Sequence, residues 1–309
     1  MTEPVSYSIH EGGDFSPVPF RVVASWPALA FVENVALGPD GSVFVTVYSS
    51  NRIGRYDPST GAISVFAEFP TPPMGLAFDE SGTLWVTSCT MRTAPGYIWK
   101  VGVEGKIQQW AYLPDATFMN GCTVHPNGRN LLVCESRSNR VLSIDLQQSG
   151  EWSVWLENES IGPGESSFPG ANGIKIRDRE AWLTVSGRYL IVRVPILANG
   201  SAGEVRPVWE KVLGDDFAFG ASGSLYVTTH PAQTLVRIDP SGKRTTIAGP
   251  DQGMVGATAC AFGTAPGDEH ALYVSTGGGF VAPHEGAVQD AKLVRLEVGE
   301  AGYPLLGER

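Results

Sequence analysis

A short apolar strand recurs six times along this chain at a spacing in the forties. That period confines the chain to a ring of like units. The copies read Ser42-Val43-Phe44-Val45-Thr46, Thr83-Leu84-Trp85-Val86-Thr87, Asn130-Leu131-Leu132-Val133-Cys134, Ala181-Trp182-Leu183-Thr184-Val185, Ser224-Leu225-Tyr226-Val227-Thr228 and Ala271-Leu272-Tyr273-Val274-Ser275. Centred on positions 44, 85, 132, 182, 226 and 273, they are spaced by 41, 47, 50, 44 and 47 residues. A second strand follows each, as in Arg52-Ile53-Gly54-Arg55-Tyr56-Asp57 or Leu235-Val236-Arg237-Ile238-Asp239. Turns such as Asp57-Pro58-Ser59-Thr60-Gly61 and Asp239-Pro240-Ser241-Gly242 separate the strands. No stretch sustains a 3.6-residue apolar period. The pattern predicts an all-β fold, a six-bladed β-propeller with four-stranded antiparallel blades around a central tunnel. Residues 1–309 read as a single domain. Residues 1–18 form an N-terminal extension, and a strand within 19–25 (Phe20-Arg21-Val22-Val23) closes the ring on the last blade and removes exposed edges.

The abundance of Gly (37) and Pro (22) fits a turn-rich all-β chain. A formal charge of −10 argues against nucleic acid and anionic membranes as partners. Met1 to Gly13 is polar and acidic, without the basic and apolar regions of a signal peptide, and no run approaches the ~18 apolar residues of a membrane span. Cys89, Cys122, Cys134 and Cys260 are spread along the chain and form no CxxC pair, which predicts reduced thiols in a cytoplasmic protein. Cys122 and Cys134 fall in one blade, where a disulfide is sterically open to them. The expected partner is a small-molecule substrate, and the expected assembly a monomer or small homo-oligomer.

Counting back ten or eleven residues from the recurring strand reaches Glu33, Met74, Asn120, Asn172 and Asp215, and Thr258 is the corresponding residue of the last blade, each at the start of its blade's innermost strand. Equivalent positions of a propeller face one another at the tunnel mouth. Four of these six carry oxygen donors suited to metal: Glu33, Asn120, Asn172 and Asp215. Two carboxylates, two amide carbonyls and water suit a hard cation. Ca2+ ranks ahead of Mg2+, Mn2+ or Zn2+, since no Cys or His stands at these positions. Taken singly, Asn120-Gly121 and Asn172-Gly173 also read as tight-turn dipeptides, and Glu33 as a solvated carboxylate.

These positions carry a resemblance. Glu33 in the first blade, Asn120-Gly121 in the third, Ala171-Asn172-Gly173-Ile174 in the fourth, Gly214-Asp215 in the fifth, and Thr258 to Gly263 followed by Leu272-Tyr273-Val274 in the last make the chain similar, over nearly its whole length, to the SMP-30/gluconolactonase/LRE-like family of calcium-dependent six-bladed propeller hydrolases. The resemblance implies one catalytic divalent metal, ligated by Glu33, Asn172 and Asp215 with Asn120 as ligand or water-mediated contact. It also implies hydrolysis of a lactone or related ester, with Asp215 as base for the attacking water. The chain departs from the sugar-lactone members in two places. Phe118 stands where they carry Arg, and Asp215-Asp216-Phe217 replaces Asp-Gly-Met, so a gluconolactonase proper is not expected.

Loops around the same mouth bring Trp26, Phe31, Phe118, Met119 and Phe168 from one side. From the other come Arg92, Glu135, Arg188, His230, Phe280 and His284. Each aromatic taken singly reads as blade packing. Together they suggest a substrate pocket for an apolar or aromatic body, with Arg92 and Arg188 available to an anionic group. His230 follows the blade-five strand and is a candidate acid or base. The glycine-rich stretch 277–290 reads as a lid. His10, His125 and His270 are expected to be exposed. The chain is read as a metal-dependent lactonase or esterase with the cation as Lewis acid. The alternatives are a lyase or cyclase on the same scaffold, or a non-catalytic binding propeller.

Overall fold

A computed structural model describes residues 13–304. His10 and most of the N-terminal extension lie outside the described residues. Six sheets form six blades. The innermost strands are Val32–Leu37, Pro73–Phe78, Met119–Val124, Ala171–Arg177, Phe217–Phe219 and Ala257–Phe262. Beside each runs the recurring apolar strand, followed by two further antiparallel strands. In blade six the outermost strand is Phe20–Trp26, paired with Ala291–Glu297, so the first long strand of the chain completes the last blade. Blade five carries a fifth strand that the sequence did not announce. Asp14–Phe15 adds in parallel to Arg244–Ala248.

Burial follows distance from the axis. The innermost strand of blade one is buried at all six positions, because both faces are covered by neighbouring blades, whereas the outermost strand Ile63–Glu68 is exposed at four of six. The apolar side chains gather into six clusters, and each cluster straddles one pair of adjacent blades. Met74, Trp85 and Ile98 meet Leu131, Val133 and Leu142 between blades two and three, and Val32, Val43 and Val45 meet Ala259, Tyr273 and Leu293 between blades one and six. The ring is closed by the same apolar packing that joins any two blades. The aspartates of the sequence-predicted turns, Asp57 and Asp239, cap them, and Asp79 does the same in blade two, each accepting from the backbone N–H of a serine two residues on.

All four cysteines are buried and free. His125, expected at the surface, is 4% exposed. Its imidazole packs into the gap between blades three and four, with Nε2 3.1 Å from the Gly200 carbonyl. His270 is exposed. Among the described residues, no helix is long and apolar enough to cross a membrane.

Candidate functional site

A bulge occurs where the candidate ligands stand. In blade one the pairing steps from Val32↔Val47 to Val35↔Val45, so Glu33 and Asn34 together oppose Thr46. The same slip leaves Met74-Gly75, Asn120-Gly121 and Asn172-Gly173 opposite Thr87, Cys134 and Thr184. A bulge breaks strict alternation and re-aims a side chain. Asn120 and Asn172 are therefore strand residues, and the tight-turn reading of Asn-Gly does not hold. Glycine follows them because blades approach closely here: a Cβ on Gly75 would stand 2.4 Å from the Asn120 carbonyl oxygen, and one on Gly121 2.6 Å from that of Asn172.

The threonine opposite each bulge is a latch the sequence reading missed. Thr46 Oγ1 accepts from Asn34 N and donates to the Met74 carbonyl of the next blade, each at 2.9 Å. Thr87 does the same between Gly75 N and the Asn120 carbonyl, and Thr184 between Gly173 N and the Asp215 carbonyl. Thr228 reaches the Thr258 carbonyl, and Thr258 reaches Val32 to close the ring. The signal was in the repeat: two residues past each strand centre stand Thr46, Thr87, Thr184, Thr228 and Ser275, with Cys134 the exception.

Glu33, Asn120, Asn172 and Asp215 line one cavity of about 250 Å³. Two serines orient the amides. Asn120 Nδ2 donates to Ser136 Oγ at 3.4 Å and Asn172 Nδ2 to Ser186 Oγ at 3.0 Å. The serines in turn donate to the carbonyls of Ala171 and Gly214, the residues preceding the next blade's candidate ligands. Asn172 Nδ2 also reaches Asp215 Oδ1 at 2.6 Å. With both amide nitrogens engaged, neither Oδ1 carries a hydrogen bond among the described residues, and nor does the Glu33 carboxylate.

The electrostatics are those of crowded anions. Burial first, and the charge of Asp216 second, push the Glu33 carboxyl up to about 8. Burial, then Glu33 and Asp216, push Asp215 well above the usual carboxylate range. Two buried carboxylates, one without a protein partner, and two unpartnered amide oxygens fit a hard divalent cation, which would remove the penalty that raises both. Among the described residues no group of three or more His, Cys, Asp or Glu is placed to hold a metal ion by itself, so the donor set relies on its two amides.

His230 Nδ1 lies 3.5 Å from Asp215 Oδ2, and burial pushes the imidazole down to about 4, so it is neutral at pH 7. Its ring stands 5.9 Å from that of Phe31. The walls are Phe31, Phe118, Phe168 and Arg92, as expected, together with Met91, Ser167, Pro169, Ser186, Pro231 and Val281, which the sequence reading did not name. Four expected lining residues stand elsewhere. Trp26 is on the outermost strand of blade six, far from the axis, and packs against the cluster between blades one and six. Met119 precedes Asn120 on its strand and is fully buried between blades two and three. Arg188 donates from Nε to the Gly162 carbonyl at 2.9 Å, tying down a loop. Phe280 is 46% exposed outside the cavity, its ring 5.7 Å from Phe31, and Val281 lines the cavity instead. Glu135 is buried and accepts from the N–H groups of Thr117, Phe118 and Arg137, and His284 bridges to Ala287.

No protein-family model matches the chain. A relative from Phoma sp., named "Putative hetero-Diels-Alderase", is 23% identical over 91% of this chain and 92% of its own length. Among solved structures, regucalcin, a calcium-binding protein from Agrobacterium tumefaciens, superposes with a TM-score of 0.67 at 15% identity, covering 95% of this chain and 99% of that one. A gluconolactonase from Xanthomonas campestris gives 0.65 at 13% identity, covering 91% and 89%. The resemblance read from the sequence is thus borne out in the architecture: this chain has the six-bladed propeller fold of the gluconolactonase and regucalcin structures.

Proposed function

We propose that the chain is an enzyme that hydrolyses a lactone or ester with an apolar or aromatic body, using a divalent cation, Ca2+ in first place, held by Glu33, Asn120, Asn172 and Asp215. The observation that carries this reading is the convergence of two buried carboxylates and two unpartnered amide oxygens on the floor of one aromatic-walled cavity. A cation bound there supplies Lewis acidity to a carbonyl. The protein's own residues do the rest. Phe31, Phe118 and Phe168 exclude water and hold the apolar body. Ser136 and Ser186 accept from the amide N–H groups of Asn120 and Asn172, which leaves both amide oxygens free for a cation. His230, neutral at pH 7, accepts a proton from the attacking water, while Asp215 beside it orients the ring and stabilises the charge that forms.

A second reading keeps the cavity and changes the reaction. The Phoma sp. relative, matched over nearly its whole length, is named for a cycloaddition, and an apolar cavity that folds a substrate needs no water. Both readings are tested together by metal analysis of the purified protein and turnover of aryl esters and lactones with and without EDTA. Stoichiometric Ca2+ with EDTA-sensitive hydrolysis supports the first. Bound metal without hydrolysis across the panel favours the second. Absence of any bound metal after Ca2+ reconstitution defeats the cation site.

A further inference from the structure

Two guanidiniums meet on the carbonyl of Ser167, a residue of the cavity wall. Arg92 lines the cavity and donates from Nη2 to the Ser167 carbonyl at 3.3 Å. Arg137, which the sequence reading did not single out, donates from Nη2 to the same carbonyl at 2.9 Å. They come from neighbouring blades, each just past the recurring apolar strand. Among the described residues neither forms an ion pair. Glu135, whose charge acts on Arg137, is committed to three backbone N–H groups. Burial first, and the like charge of Arg92 second, hold the Arg137 guanidinium below its ordinary value despite the opposing charge of Glu135. Each guanidinium has about five N–H donors and gives one to Ser167, which leaves both with donors for a planar anion.

We propose that Arg92 and Arg137 clamp a carboxylate on the substrate, so that the natural substrate is an apolar or aromatic acid carrying its reacting carbonyl at the opposite end. This rests on reading the cavity as the active site. The cavity is bipolar, with an acidic floor at Glu33 and Asp215 and a cationic rim. With a cation bound, the floor carboxylates are committed to it, so the charge left for an anionic group of the substrate is that of the guanidiniums at the rim, and the aromatic walls fill the span between. Such a gradient fixes which end of the substrate enters first. Anchoring the Ser167 loop alone would need one donor, not two like charges on one oxygen.

The test uses a pair of dyes of similar shape, anionic 8-anilinonaphthalene-1-sulfonate and neutral N-phenyl-1-naphthylamine, titrated by fluorescence into the Ca2+-loaded protein. The anionic dye is expected to bind on the order of tenfold tighter, with the preference weakened by salt, lost in Arg92→Gln/Arg137→Gln and kept in Arg137→Lys. Dye held on apolar surface elsewhere contributes equally to both proteins. A parallel readout is the ratio of kcat/KM for mono-4-nitrophenyl glutarate over 4-nitrophenyl butyrate, which should fall about tenfold in the double variant. A preference absent from the wild type, or unchanged in the double variant, overturns the clamp. EDTA-sensitive hydrolysis of the butyrate without preference for the glutarate defeats the clamp and leaves the hydrolase reading standing. A dye preference that follows the arginines, with neither ester turned over, does the reverse.

Discussion

Asp215 and Asp216 are neighbours in the chain and opposites in the fold. Asp216 is held by Lys175 Nζ at 2.8 Å from each of its oxygens, in a pair almost wholly buried on the axis. Asp215 shares the cavity with the unpartnered Glu33. The tunnel therefore has two levels. The lower, lined by Lys175 with Cys122, Cys260 and Tyr303, encloses about 50 Å³ and carries matched charge, whereas the upper encloses about 250 Å³ and carries unmatched charge. Both levels contain buried carboxylates, and only the lower one supplies its own cation. The difference separates a charge built into the fold from one kept for a ligand.

The largest effect should come from breaking the lower level. Lys175→Met strands Asp216 as a buried, unpaired anion and should cost ~3–5 kcal/mol in urea unfolding, much of it recovered in Lys175→Met/Asp216→Leu. A single variant within ~1 kcal/mol of wild type would show that the lower level is not held by this pair.

Neutralising the upper level should leave the fold standing and remove the ligand. Glu33→Gln and Asp215→Asn should each lower calcium affinity, read by calorimetry, and reduce EDTA-sensitive turnover roughly 100-fold or more. Unchanged Ca2+ affinity in both variants would exclude these carboxylates as its ligands.

The upper level should also be visible in pH dependence. Glu33 sits at about 8 folded, against 4.5 as its ordinary value. Between those limits the unfolded chain releases this proton and the folded, metal-free chain keeps it. The Glu33 contribution to stability in EDTA should therefore fall as pH rises from about 4.5 to about 8 and then level off, with the raised Asp215 acting in the same direction and His230, lowered from 6.5 to about 4, acting in the opposite one between those two values. Glu33→Gln should remove that contribution, and saturating Ca2+ should suppress it. An equal slope in wild type and Glu33→Gln would assign it to other groups.

The smallest effect concerns what holds both levels in register. Thr87→Val removes a hydroxyl that donates to Asn120 and accepts from Gly75. It should cost ~1–3 kcal/mol, because a buried carbonyl and N–H are left unpaired. A cost near zero would mean the latch is redundant with the apolar packing between the blades.

The ring was legible in the sequence because its period is carried by side-chain chemistry. Apolar strands, Asp-Pro turns and the phase of Glu33, Asn120, Asn172 and Asp215 repeat in one dimension before they converge in three. The latch was equally periodic at Thr46, Thr87, Thr184 and Thr228 but went unread, since threonine in a strand is ordinary until the bulge opposite it is seen. The aromatic positions misled where a residue's side of the strand mattered: Met119 and Asn120 are adjacent, and one is core while the other lines the cavity. Trp26 misled because a loop near the mouth in sequence order became an outermost strand in space.

Sequence alone determined the number of blades, the closed ring and the four oxygen donors, because each rests on residue type recurring at a fixed interval. Tertiary structure alone decided that Asp216, one residue from Asp215, finds a lysine from another blade, that Arg137 joins Arg92 on the Ser167 carbonyl, and that Arg188 does not. Those outcomes depend on which blades lie against each other and how far a bulge turns a side chain. Such distances between remote residues leave no period along the chain.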